Sequence, residues 1–212
     1  MADWDWVTIS ALATAAGTLV LAIATFASVR SANRAARVAE QALLVNLRPL
    51  LVNSRFDDLE QKVGFVDDVW LKLPGGCGAA QVGDGAVYLA MSLRNVGSGI
   101  AVLHGWCLAT GRERATADVP PLERFNRLSR DIFIAPGDIG FWQGAFRDPA
   151  GEDFLAARRA IEQREFIVVW LLYGDYEGGQ RVITQFGMNP RGEDGWMVIV
   201  ARHRYVDGSA PR

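Results

Sequence analysis

EFIVVWLLYGDYEGGQRVITQFGM, residues 165–188, is the stretch that decides the fold. After Glu165 the residues to Tyr173 run apolar at both parities. Neither face of a strand formed there can sit in water, so the pattern predicts a central strand covered on both sides. Asp175 to Gln180, with its Gly178-Gly179 pair, predicts a tight turn into a second strand over 181–188. To either side, short alternating or apolar runs separated by Gly, Pro and Asp predict further strands at 50–56, 66–73, 86–94, 100–109, 139–146 and 196–205. Over 86–94, Val87, Leu89, Met91 and Leu93 fall on one face and a more mixed set on the other. One helix is expected over 152–164, with Phe154, Leu155, Arg158 and Ile161 at helical spacing and acids in its first turn. Residues 74–85 are rich in glycine and residues 115–128 contain Pro120-Pro121, and both are expected to be irregular.

The amino-terminal quarter is different. Residues 7–29 contain no charge, and 23 residues in a helix span about 35 Å, enough to cross a hydrocarbon core. A cleaved leader is disfavoured because the chain opens with Asp3, Trp4, Asp5 and Trp6 instead of Lys or Arg. Arg30, Arg34, Arg37 and Arg48 follow the apolar stretch, opposed only by Glu40. The positive-inside rule therefore puts the amino terminus outside and residues 30–212 in the cytoplasm. Residues 30–47 lack Gly and Pro, so the helix should continue as a basic, amphipathic segment and stop before Pro49. Arg30, Arg34 and Arg37 suit anionic lipid headgroups. Ala13 and Gly17, four apart, place small residues on one face and are candidates for helix association. The fold expected is membrane-anchored and mainly β. Residues 1–29 form a transmembrane anchor, 30–49 a juxtamembrane helix, and 50–212 an antiparallel β-sandwich with one inserted helix.

Four short motifs punctuate this order: Arg48-Pro49 where helix gives way to strand, the run from Arg94 to Ala101 (RNVGSGIA), Ala135-Pro136-Gly137-Asp138, and Tyr173-Gly174-Asp175. With them the chain resembles a widespread, functionally uncharacterised family of bacterial single-pass membrane proteins. Members have an N-terminal anchor, a basic helix and a cytoplasmic immunoglobulin-like β-sandwich. Ile100 and Leu50 stand where the family often has Pro and an aromatic residue. The resemblance implies a fold and no activity. Each motif also has a local reading: Pro136 and Gly137 suit a type II turn, and Gly97 and Gly99 permit positive φ.

Composition narrows function. The chain has 212 residues, is 50% hydrophobic and 22% charged, and so is neither disordered nor a disulfide scaffold. Residues 50–212 carry 18 Lys and Arg against 21 Asp and Glu with no basic stripe, which disfavours nucleic acid. Cys77, Cys107, His104 and His203 lack metal-site spacing, and His104 and Cys107, three apart on a strand, should face opposite sides, so neither a metal nor a cofactor is expected. Cys77 is the best candidate nucleophile if the protein is an enzyme, yet no triad signature accompanies it. Asp57-Asp58 and Asp67-Asp68 have no calcium-loop spacing. Arg112, Arg114, Arg124, Arg127 and Arg130, fanned from an expected loop, are the candidate grip for a phosphate or acidic partner. Trp70, Trp106, Trp142, Trp170 and Trp196 are expected in the core. The reading is a non-enzymatic, membrane-tethered interaction or sensor module that binds a protein or small ligand and self-associates through its helices. A bacterial anti-phage defence effector that senses a nucleotide signal or phage component has the same form.

Overall fold

The computed structural model describes residues 5–113 and 118–207, so Asp3, Trp4 and Arg114 lie outside the described residues. The chain divides into two units at Val45/Asn46. The first is a single helix, α1 (Trp6–Asn46), of 41 residues with no break at the basic flank. Among the described residues it is the one helix long and apolar enough to cross a membrane, over Trp6–Glu40. Its described side chains, Arg30, Arg34 and Arg37 among them, are exposed throughout. The hydroxyls of Ser10, Thr14, Thr18 and Thr25 donate to carbonyls of the preceding turn at 2.7–2.9 Å, which satisfies them without water.

The second unit is mainly antiparallel β. Its strands are β1 (Leu51–Asn53), β2 (Gln61–Gly64), β3 (Trp70–Leu73), β4 (Cys77–Gly83), β5 (Ala86–Asn95), β6 (Ala101–Thr110), β7 (Asn126–Ile134), β8 (Ile139–Phe146), β9 (Ile167–Gly174), β10 (Val182–Arg191) and β11 (Gly195–Tyr205). The helix α2 (Glu152–Glu162) lies between β8 and β9. Strand order is β1-β5-β4-β11-β10-β9-β6-β7, and β8 adds to β5. One edge of β5 holds β4 and then β1, and the other holds β8 along its length. The link between β4 and β11 is only two residue pairs, Trp196 with Gly78 and Met197 with Cys77. Strands on both sides of this short link contribute to one core.

That core joins Val87, Leu89, Met91 and Leu93 of β5 to Ile167, Val169, Leu171 and Tyr173 of β9 and Phe186 of β10. Both outer faces are also covered. The β2–β3 hairpin lays Val63, Phe65, Leu71 and Leu73 over Ala86, Tyr88 and Ala90 of β5. On the other side Val168 and Trp170 of β9, Cys107 of β6 and Ile183 of β10 are packed beneath Val119 and Phe125. This explains why β9 is apolar at both parities: each face has its own cluster to join.

The central hairpin, the strands at 86–94, 100–109, 139–146 and 196–205, and α2 are found where expected. Several expectations are corrected. Residues 74–85 are not a glycine-rich loop, because Cys77–Gly83 form β4 and pair with β5 and β11. Residues 126–128 are not irregular but open β7. On α2 the buried stripe is Phe154, Ala157 and Ala160, with Leu155 and Arg158 exposed. The strand expected over 66–73 is only its end, β3, that over 50–56 is only β1, and β2 and β7 were unanticipated. Four of the five tryptophans are buried, whereas Trp70 is 57% exposed with Lys62 stacked on it.

Candidate functional site

The four motifs meet at one end of the β unit, around residues 47–51 where the chain enters the sheet. Asn95, fully buried at the end of β5, is their centre. Its Oδ1 accepts from the Leu50 and Gly97 amides at 3.2 and 3.0 Å, and its Nδ2 donates to the Gly99 and Ile134 carbonyls at 2.7 and 3.0 Å. All four hydrogen-bonding positions of the carboxamide are thus used. Its backbone adds bonds to Asp138 and Gly137. Val96 N–H donates to the Leu50 carbonyl and Ser98 N–H to that of Arg48, so Arg48-Pro49-Leu50 is stitched along its length. Arg48 Nε donates to Gln180 Oε1 at 3.0 Å, and its guanidinium lies 4.3 Å from the Tyr205 ring centroid. Asp175, 4% exposed, accepts from Gly179 and Gln180 and so shapes the turn after β9. We call this arrangement the collar.

Two turn expectations resolve differently here. Gly137 has φ +80° and the Asp138 amide donates to the Ala135 carbonyl, as a type II turn requires. Gly97 and Gly99 do not have positive φ. They are glycines because a Cβ on Gly97 would overlap the backbone of residues 48–50 and one on Gly99 the Leu47 carbonyl.

A buried polar chain leads from the collar into the sheet. The Leu51 amide donates to Tyr173 Oη at 3.0 Å, Tyr173 Oη meets Thr184 Oγ1 at 2.7 Å, and Thr184 Oγ1 meets His203 Nδ1 at 2.8 Å. Burial pushes the Tyr173 phenol up to about 12, so it keeps its proton. An amide can only donate, so the arrangement that satisfies every hydroxyl runs Leu51 to Tyr173 to Thr184 to His203. Nδ1 must then be unprotonated, and burial lowers the His203 pKa in the same direction.

The expected arginine grip is dispersed. Arg112 is exposed in a single turn after β6. Arg124, in a 3-10 turn at Leu122–Arg124, lines with Arg159, Asp153 and Asp118 a cleft of about 600 Å³ over Cys107 and Trp170. Arg130 donates to Gln143 Oε1 at 2.9 Å and its guanidinium lies 5.5 Å from the Phe141 ring centroid. Arg127 faces a second cleft, of about 220 Å³, between β7 and β8, where it is joined by Arg147, Asn126 and Gln143. Sequence reasoning missed the last three. Nothing local marks them, because they meet only when β7 and β8 come side by side.

The other candidates do not assemble. Three strands separate Cys77 on β4 from His104 on β6 in the sheet order. Cys107 is buried and its thiol pKa raised by that burial, which keeps it protonated. His104 sits where the β6 register shifts and is exposed. That shift puts Leu103 and Trp106 in the same core and removes the simple alternation expected between His104 and Cys107. Among the described residues no three His, Cys, Asp or Glu side chains gather as metal ligands would. Asp58 is held by Arg94 at 2.5 Å, and Asp67 by Tyr88 and Arg147, each at 2.9 Å. These contacts hold both carboxyls below the ordinary range, chiefly through the Arg94 hydrogen bond for Asp58 and the Tyr88 hydrogen bond for Asp67. The shallow strip on α1 runs along Ser10, Ala11, Thr14, Ala15 and Thr18, beside Ala13 and Gly17 but not over them. No family model, curated protein or solved structure matches the chain.

Replacing Gly99 by Ala should force the collar apart and cost about 1–3 kcal/mol. In thermal melts of the full chain in mild detergent this should appear as a drop of roughly 3–10 °C, against little change for exposed Val96→Ala. The polar chain predicts a pH effect. With its folded pKa below the unfolded value of about 6.5, His203 leaves stability intact above that pH. Stability is lost as pH falls from about 6.5 through the folded pKa, with a slope of at most about 1.4 kcal/mol per pH unit. Melting temperatures measured from pH 7.5 to 5 should fall less steeply in His203→Gln than in the parent. The paired carboxylates act only at lower pH, below their unfolded values.

Proposed function

We propose that the chain is a single-pass protein of a bacterial plasma membrane, amino terminus outside. In this reading its immunoglobulin-like cytoplasmic domain works by binding a protein or small ligand and not by turning over a substrate. The observation that carries the tether is α1 itself: a charge-free segment exposed along its length, its hydroxyls bonded to its own backbone, followed by exposed Arg30, Arg34 and Arg37. The antiparallel sheet over a shared core supports the immunoglobulin-like expectation. The binding half of the proposal is supported by the arginine and carboxamide side chains that converge on the cleft between β7 and β8. Self-association is the natural use of the small-residue side of α1, through Ala13 and Gly17.

Protease added to inverted membrane vesicles should digest the β domain of a carboxy-terminally tagged chain, and protease added to spheroplasts should leave it intact. The reverse pattern would place the domain outside and overturn the topology.

A further inference from the structure

The cleft between β7 and β8 is lined by arginine and carboxamide side chains. Each of these strands is paired on one edge only, β7 with β6 and β8 with β5, and where they run side by side they form no ladder. The gap between Asn126–Leu128 and 143–147 is bordered by two guanidiniums, Arg127 and Arg147, by two carboxamides, Asn126 and Gln143, and by Trp106 and Phe65, with no carboxylate in its lining. Arg147 spends only its Nε on Asp67, so its terminal N–H groups remain to donate. Gln143 Oε1 is taken by Arg130, which leaves its amide N–H₂ as the group free to serve a ligand. Arg127 makes no ion pair with any described residue. Donor-bearing side chains thus border a space of about 220 Å³.

We infer that this cleft is a binding site for a small phosphate or phosphomonoester, gripped by Arg127 and Arg147 and oriented by the Gln143 and Asn126 amides. Paired guanidinium forks match the tetrahedral oxygens of a dianion. Trp106 and Phe65, which are 4% and 8% exposed, supply the apolar part of the same lining. The ligand is soluble and not a lipid headgroup. The cleft uses the start of β7 and the end of β8, at the opposite end of the domain from the collar, where the chain enters. The inference deepens the binding half of the proposed function and rests on it.

The test uses the full chain in mild detergent at pH 7.5 and inorganic phosphate as probe, followed by phosphorus NMR line width and by calorimetry. Saturable binding is expected, weakened about tenfold or more in Arg127→Ala and in Arg147→Ala and unchanged in Arg112→Ala. Arg147→Lys keeps the charge beside Asp67 while removing the fork, and should also weaken binding with an unchanged melting temperature. Gln143→Glu puts a carboxylate in the cleft and should abolish binding. Absence of saturable phosphate binding, or equal affinity in Arg127→Ala, overturns the site. Competition by vesicles containing phosphatidic acid, but not by vesicles of phosphatidylcholine, would overturn its assignment to a soluble ligand. Protease accessibility reports the tether alone, so failure of phosphate binding with the topology unchanged counts against the cleft and not against the membrane reading.

Discussion

The Asn95 carboxamide is the contact on which the rest of the domain depends. It is fully buried, and its four hydrogen-bonding positions close onto three stretches of backbone: the incoming chain at Leu50, the loop at Gly97 and Gly99, and the end of β7 at Ile134. A satisfied bond of this kind contributes about 1 kcal/mol net, but an orphaned buried partner costs about 1–3 kcal/mol, so removing one side chain exposes several penalties at once. Glycines at 97 and 99 are what let the backbones come close enough. The consequence is that residues 48–51, the first after α1, are as much a part of the sheet as its central strands. Hydrogen bonds connect that segment through Tyr173 and Thr184 to His203.

The second constraint is coverage. A strand as apolar as β9 requires material on both faces, and the protein supplies it with a shared core on one side and Val119 and Phe125 on the other. The same holds for β5, whose outer face the β2–β3 hairpin shields. Among the described residues, two indole N–H groups, on Trp142 and Trp170, remain buried without a partner. They mark where packing of large rings prevailed over polar satisfaction.

Much of this was legible from residue order. The charge-free run, the basic flank, the fully apolar strand with its Gly-Gly turn, and the alternation of Val87, Leu89, Met91 and Leu93 each state a periodicity or a boundary directly. Residues 77–83 were not legible, because β4 is built on Gly and Ala: its side chains are small since Met188 and Val198 crowd Gly78, and composition alone reads that as loop. The motifs were visible, but their convergence on Asn95 was not, since it joins residues 39 to 45 positions apart. The arginines were likewise visible as a group in the chain. Only the side-by-side placement of β7 and β8 separates Arg127 from Arg112 and Arg124 and gives it Arg147 as a neighbour.

Hydrogen exchange on the full chain, read amide by amide at Leu51, Val96 and Ser98, tests the central claim most directly. If the collar joins the incoming segment to the sheet, these three amides exchange as slowly as those of β9 and only with global unfolding. If they exchange at the rate of the exposed turn at Asp84-Gly85, the segment opens independently, and the collar is not what holds the chain to its domain.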